Sequence, residues 1–182
     1  QAATSLSSSD GIFSFSDEFS GTSLDLTKWA LRNGSSPTFD NGVMTLLSTT
    51  PYGRIESIPS FGQGYMVEAL MRHPQAGTSN LVSEVGFASA SEFVNTLRIM
   101  DDFPDTANVT NWQWVTDASG LTQGKGIMSL TTLNTGWNHF RIGRIAGTAS
   151  LQVNDWTPTT ITTNLPTANM PAFLMSYGNN NQ

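Results

Sequence analysis

Two tryptophans, Trp112 and Trp114, stand two residues apart in the segment Asn111–Val115. If this segment is a strand, both indoles lie on the same face, because alternate side chains of a strand point the same way. Sugars stack their C–H faces on aromatic rings, so such a pair on an open sheet would suit glycan binding. On a face that is turned inward the same pair would fill the core instead, and the sequence leaves both interpretations open.

Arg98 and Asp102 are the polar residues that we expect beside these tryptophans. Both lie on one face of the segment Asn95–Asp102, within reach of the tryptophans if the two strands pair. Guanidinium and carboxylate groups hydrogen-bond well to sugar hydroxyls, and the alternative is a surface ion pair that adds little stability. The predicted ligand-binding residues are therefore Trp112, Trp114, Arg98 and Asp102, and no catalytic residue is predicted.

Several other kinds of chemistry lack the residues that they need. The chain has no cysteine, and neither of its two histidines, His73 and His139, stands in the spacing of a metal site or beside a serine–acid pattern. The net charge of −6, with two lysines and six arginines, gives the chain no electrostatic footprint for nucleic acid or for an anionic membrane, and no apolar run is long enough to insert into a bilayer. We predict no cofactor. The one ion for which the sequence offers oxygen ligands is calcium, through Asp17, Glu18, Asp25 and Asp40.

The elements that position these residues are predicted to be strands. Serine and threonine account for 44 of the 182 residues and only 12% are charged, so the chain is rich in residues that favour strands and poor in lysine and glutamate. Short apolar-alternating runs separated by turn residues indicate an all-β sandwich. The predicted strands are Ile12–Ser16, Gly42–Ser48, Tyr52–Ser57, Gly64–His73, Leu81–Ala88, Asn95–Asp101, Asn111–Thr116, Gly126–Thr131, Trp137–Arg144, Thr148–Asn154, Thr159–Thr163 and Pro171–Tyr177.

The chain is predicted to contain one domain. Residues 1–10 are polar and without periodicity, which is typical of a linker or a mature N-terminus, and residues 11–182 form a single β-sandwich domain. The segment Gly178–Gln182 consists of turn formers that normally lead into another strand, so we expect the domain to be part of a larger protein. A neutral surface rich in Ser, Thr and Asn suits a secreted protein, extracellular or at the cell surface.

Three blocks of sequence resemble a known family. The first holds Phe15–Asp25, Lys28-Trp29 and Phe39–Leu46, the second holds Tyr52–Ser57 and Phe61–Ala69, and a later block holds Gly136–Ile142 and Leu151–Asp155. In this order they resemble the concanavalin A-like lectin/glucanase superfamily, and glycoside hydrolase family 16 most closely. The resemblance implies a two-sheet antiparallel jelly-roll sandwich that holds a polysaccharide on a concave face. It also implies that Trp29 and Trp137, which fall in these blocks, lie in the core.

The chain departs from the acidic motif of that family. The family carries Glu-x-Asp-x-Glu on one strand, so that acid, helper and nucleophile point to the same face. Here the strand Leu81–Ala88 offers Glu84, followed at the matching positions by Gly86 and Ala88. No two acidic residues anywhere in the chain stand two positions apart. The retaining mechanism of the family therefore lacks its carboxylates on this strand.

The predicted function is a non-catalytic, lectin-like module that recognises a poly- or oligosaccharide on the concave sheet face. Its predicted partners are that glycan and other domains of the same polypeptide. A first alternative is a glycoside hydrolase or lyase with a displaced carboxylate pair about 5–10 Å apart, for which the candidates are Glu56, Glu84, Asp101 and Asp102. A second alternative is a structural or adhesion module without a glycan ligand.

Overall fold

The structure is a computed structural model that describes residues 14–48, 52–72, 81–89, 94–101, 112–120, 123–128 and 136–178. In these ranges the chain forms thirteen β-strands and no helix. The strands are β1 (Trp29–Arg32), β2 (Ser35–Asp40), β3 (Val43–Ser48), β4 (Tyr52–Phe61), β5 (Met66–Arg72), β6 (Leu81–Ala88), β7 (Asn95–Asp101), β8 (Trp112–Ala118), β9 (Gln123–Ile127), β10 (Trp137–Ile145), β11 (Thr148–Val153), β12 (Thr159–Ile161) and β13 (Met170–Gly178). No described segment is a helix long and apolar enough to cross a membrane.

The strands assemble into three antiparallel sheets. The large sheet has seven strands in the order β1-β4-β13-β6-β7-β8-β9, the small sheet has four in the order β12-β11-β10-β5, and β2 pairs with β3. The last described strand, β13, pairs with β4 on one side and with β6 on the other. Each of the five inner strands of the large sheet, from β4 to β8 in this order, is therefore paired on both of its sides. The all-β sandwich of antiparallel sheets that the sequence predicts is confirmed.

The main core lies between the large and the small sheet. Alternation along β10 turns Phe140 and Ile142 inward, and both are fully buried, as the sequence pattern predicts. The indole of Trp112 packs edge-on against Phe140, with 4.7 Å between the ring centroids. The large sheet meets the small one with apolar side chains from β6, β7 and β8, namely Val85, Phe87, Leu97, Ile99 and Trp112.

A second apolar cluster joins the N-terminal segment to one end of the large sheet. Trp29, at the start of β1, is buried with Leu24 and Ile55. Its indole N–H donates to a carboxylate oxygen of Asp17 at 2.8 Å, and the ring of Phe15 packs edge-on against it with 5.1 Å between centroids. The residues of the first block that carries the family resemblance therefore pack together as part of the core and have a structural role.

Three features differ from the sequence-based expectations or lie beyond the described residues. The alternation of apolar and polar residues does not predict β1 or β2. Strand β1 has only four residues. Strand β2 reads Ser-Ser-Pro-Thr-Phe-Asp, and its proline removes a backbone N–H donor. The predicted strand at Ile12–Ser16 lies partly outside the described residues, as does the whole predicted linker, and Ser14–Ser16 is not in a strand. Trp137, expected in the core, occupies an outward position of β10 beside Arg72 and is 44% exposed.

A buried arginine ties the small sheet to the chain segments beside it. Arg144 lies on the inward side of β10 and is 3% exposed. Its guanidinium donates to the carbonyl of Phe61 at 2.9 Å and to those of Pro166 and Ala168 at 2.8 Å. It also lies over the ring of Phe87, 5.3 Å from the centroid. Burial lowers the pKa of Arg144 below its ordinary value, because an apolar surrounding disfavours the charged form.

Arg144→Met should destabilise the fold by about 2–4 kcal/mol, because three carbonyls lose their donor inside the protein. Arg141, on the outward side of the same strand, provides a matched control. Arg141→Met removes only part-exposed contacts and should cost less than about 1 kcal/mol. Urea unfolding followed by circular dichroism measures both variants, and equal free energies of unfolding would contradict the structural role of Arg144.

Candidate functional site

The large sheet has two faces, and the strand register assigns the predicted site residues to them. Between β7 and β8, Ile99 pairs with Trp114 and Arg98 pairs with Val115. Paired residues share a face and successive residues alternate, so Trp112 and Trp114 lie on the inner face, toward the small sheet. Arg98 lies on the opposite face, which we call the outer face of the large sheet.

Both tryptophans belong to the core side of the sheet. Trp112 is 1% exposed. Trp114 is half-buried and packs against the main core, and its indole lies directly against the edge strand, since a Cβ atom at Gly126 would be 2.6 Å from its Nε1. The prediction of an open stacking pair is wrong, because Trp112 is enclosed between the sheets and leaves Trp114 without a partner on an open surface.

Arg98 lies on the other face of the sheet, where it is buried. Its side chain lies on the outer face, with Nη1 3.2 Å from Oε2 of Glu84 on the neighbouring strand β6. The sheet itself separates Arg98 from the tryptophans that were expected beside it. Asp101 pairs in register with Trp112, and Asp102, the fourth predicted binding residue, lies outside the described residues.

A second group of charges occupies the outer face nearer to β1. The carboxylate of Glu56 accepts from Nε of Arg32 at 2.7 Å, and its other oxygen is 3.1 Å from Nη2 of Arg54. Arg54 reaches across β13, with its guanidinium carbon 4.7 Å from the ring centroid of Phe173 and its Nη2 3.2 Å from the carbonyl oxygen of Ala88. Phe173 is 1% exposed, and the guanidinium of Arg54 covers its ring on the outer face.

The strand that would carry hydrolytic carboxylates in the resembled family offers a single one, Glu84. The next two outward positions of β6 are Gly86 and Ala88. A Cβ atom at Gly86 would lie 2.2 Å from the carbonyl oxygen of Leu97 and 2.7 Å from Cα of Arg98. Backbone atoms cannot move aside as the end of a flexible side chain can, so the packing of β6 on β7 excludes a carboxylate at this position.

Glu56 and Glu84 are the candidates for a displaced catalytic pair that share the outer face. Strand β13 separates them, and the register offsets them by two residues, which places their Cα atoms roughly 12 Å apart on an ideal sheet. Arg98 holds Glu84 from the β7 side, whereas Arg32 holds Glu56 from the β1 side. Arg54 reaches across the strand between them, with its Nη2 3.1 Å from Oε2 of Glu56 and 3.2 Å from the carbonyl oxygen of Ala88 on β6.

Two of the predicted calcium ligands bind other groups. A carboxylate oxygen of Asp17 accepts the indole N–H of Trp29. The carboxylate of Asp25 accepts the hydroxyl and the backbone N–H of Thr27 at 2.6 and 2.9 Å, and these hydrogen bonds lower the pKa of Asp25. Within the described part of the chain, no three His, Asp or Glu side chains come together as a metal site would need. Calcium binding stays a prediction.

Comparisons with known proteins identify the fold. No family model matches the chain, and no curated protein matches its sequence. A β-1,3-1,4-glucanase (lichenase) derived from a mouse hindgut metagenome superimposes with a TM-score of 0.70 at 13% identity, over 89% of this chain and 84% of that one. A Bacillus licheniformis β-glucanase gives 0.66 at 15% identity over 86% and 81%. A family 16 glycosyl hydrolase from Mycobacterium smegmatis gives 0.65 at 14% identity over 91% and 89%.

These likenesses confirm the fold that the resemblance implies, the concanavalin A-like two-sheet jelly roll. At identities of 13 to 15% they show the architecture of the chain and not its activity. What the chain does must therefore be argued from the side chains on its own sheet faces.

Gly86→Ala should destabilise the protein by about 3 kcal/mol or more, because the new methyl group overlaps the backbone of β7. Gly143→Ala is the matched control in a buried strand position, where a Cβ atom would have its nearest neighbours, Met66 and Ser150, at 3.8 Å. That variant should stay within about 0.5 kcal/mol of the parent. Thermal and urea unfolding measure both, and a Gly86→Ala protein as stable as the parent would contradict the close approach of β6 and β7.

Proposed function

We propose that this protein is a non-catalytic, lectin-like domain that binds a poly- or oligosaccharide on the outer face of the large sheet. The observation that carries the proposal is the Arg98–Glu84 pair, whose donors and acceptors lie on that face in a sandwich of the glucanase fold. Such groups are good partners for sugar hydroxyls. Gln113 and Lys125 lie on the same face by register and extend the polar surface toward β9.

The same ion pairs support the non-catalytic part of the proposal. Hydrolysis by two carboxyl groups needs one protonated acid and one ionised partner at a short distance. Glu84 pairs with Arg98, and Glu56 pairs with Arg32 and Arg54. Each of these carboxylates is therefore already engaged by an arginine, which supports a role in holding the binding surface rather than in catalysis.

A hydrolase remains the competing function, and one observation favours it. Glu84 is an outward-facing carboxylate on the strand that corresponds to the catalytic strand of the resembled family, and several proteins of this fold are named for glucan hydrolysis. Release of reducing ends from a polysaccharide, abolished by Glu84→Gln, would establish that function in place of ours.

The structural polysaccharides of cell walls and matrices lie outside the cytoplasm. We therefore include in the proposal that the protein acts in the extracellular space or at the cell surface, joined to other domains of the same polypeptide. Its net charge of −6 and neutral polar composition are compatible with that setting. Neither calcium nor another cofactor is required for the contacts described above.

Gln113→Ala should weaken glycan binding about two- to tenfold, because it removes one side-chain amide from the proposed surface. Gln152→Ala is the matched control, since Gln152 lies on the small sheet, where it accepts from Arg141 and donates to the carbonyl of Trp156. Affinity electrophoresis in a panel of soluble neutral and acidic polysaccharides gives the ligand and its dissociation constant for each variant. Retention by none of the polysaccharides, or equal weakening by both substitutions, would contradict the proposed function.

A further inference from the structure

The described part of the outer face of the large sheet holds more basic than acidic side chains, although the chain as a whole is acidic. The protein has eight basic and fourteen acidic residues, a net charge of −6. Four of the eight basic residues nevertheless lie on this one face according to the register. They are Arg32, Arg54, Arg98 and Lys125.

The described acidic residues on this face do not cancel that charge. Glu56 and Glu84 neutralise two of the four cations. Asp117 lies at the end of β8, where its carboxylate accepts the backbone N–H of Gly120 at 3.0 Å. Four positive and three negative side chains leave the described part of the face with a net charge of +1 in an acidic protein.

Arg98 is a buried cation of this face that uses only part of its hydrogen-bonding capacity. Its residue is 6% exposed, and a guanidinium carries five N–H donors. Among the described residues its one ionic partner is Glu84, reached through Nη1 at 3.2 Å, while Nε and Nη1 are buried without a hydrogen-bond acceptor in good geometry. A buried guanidinium in this condition is under-satisfied, because burial removes the water that would otherwise accept from it.

An oxyanion is the group that best completes this site. The planar fork of a guanidinium matches two oxygens of a carboxylate or a sulfate, and such charge-assisted hydrogen bonds are stronger than those to a hydroxyl. Lys125 lies on the same cross-strand row as Arg98, separated from it by Val115. At about 10 Å between their strands, the two cations can engage separate acidic groups of one chain-like ligand.

We propose that the ligand of the outer face is an acidic saccharide, with uronate carboxylates or sulfate esters, anchored by Arg98 and contacted by Lys125. This proposal rests on the function proposed above and narrows its ligand class. It assigns Arg98 the role of the anion anchor and leaves Arg32 and Arg54 to hold Glu56 in place. A neutral glycan would satisfy the donors of Arg98 in part, but it would make no use of the charge of Lys125.

Affinity electrophoresis measures binding to three classes of polysaccharide. The uronates are polygalacturonate and alginate, the sulfate ester is carrageenan, and the neutral glycans are a β-glucan and a mannan. Uronates and sulfate esters are separate arms, so the panel also identifies the source of the anion. We expect at least one acidic polysaccharide to bind roughly tenfold or more tightly than the neutral ones at low salt. That binding should weaken several-fold between about 50 and 500 mM NaCl, because added salt screens exposed charges.

Variants then locate the anionic contact. Lys125→Gln should weaken acidic binding about two- to fivefold, whereas Arg72→Gln, an exposed cation of the small sheet, should change it less than about 1.5-fold. Arg98→Gln should weaken it roughly ten- to a hundredfold. Arg98→Lys keeps the charge but loses the fork, so it should fall between the parent and Arg98→Gln. Circular dichroism checks that each variant is folded, and the Lys125/Arg72 comparison stands even if Arg98→Gln does not fold.

Two results would overturn the inference in different ways. Tight binding of a neutral glycan that is insensitive to salt and to Lys125→Gln, but sensitive to Gln113→Ala, would leave the proposed function intact and refute the acidic ligand. Binding of no polysaccharide in the panel, acidic or neutral, would refute both. Equal effects of Lys125→Gln and Arg72→Gln on acidic binding would show a non-specific charge effect and would also refute the assigned site.

Discussion

The close pairing of Gly86 with Arg98 is the contact on which the rest of the site depends. A Cβ atom at Gly86 would lie 2.2 Å from the carbonyl oxygen of Leu97, so strands β6 and β7 can lie this close only with glycine at that position. The contact fixes their register, and a slip of one residue would exchange the inner and outer faces of every position that follows. It thereby places Arg98 and Glu84 outward, and the pairing of β7 with β8 then turns Trp112 inward.

The same contact excludes a carboxylate from position 86 of β6. A retaining glycosidase needs carboxyl groups that face the sugar from neighbouring outward positions, and β6 provides Glu84 followed by positions without a carboxylate. Arginine partners hold both of the charged carboxylates near the middle of the face, Glu56 and Glu84. The chain therefore has the sandwich fold of the glucanases, and the outer face of its large sheet carries arginine–glutamate ion pairs.

Much of the fold was predictable from alternation, because most strands have one apolar face and one polar face. The strand β8 shows where that signal ends. Spacing alone places Trp112 and Trp114 on one face, but Val115 and Thr116 on its two faces are both buried, so the pattern does not say which face turns inward. Sheet pairing decides that question, and it depends on strands that are distant in sequence.

The charged site was predictable in part. Arg54 and Glu56 stand two positions apart on β4, a spacing that places an ion pair on one face. The remaining partners come from other strands: Arg32 reaches Glu56 across 24 residues of sequence, and Arg98 reaches Glu84 from the neighbouring strand. Only the assembled sheet brings them together, which is why sequence reasoning named Arg98 and Glu84 separately and in different roles.

The central claim is that the outer face of the large sheet binds a saccharide and leaves it uncut. Titration of the ¹⁵N-labelled protein with an acidic oligosaccharide, followed through the arginine Nε–H resonances, tests this claim most directly. The result we predict is a progressive shift of the Arg98 resonance, little change at Arg141 on the small sheet, and an oligosaccharide of unchanged length at the end of the titration. Shifts confined to Arg141 or Arg72, or a shortened oligosaccharide, would contradict it.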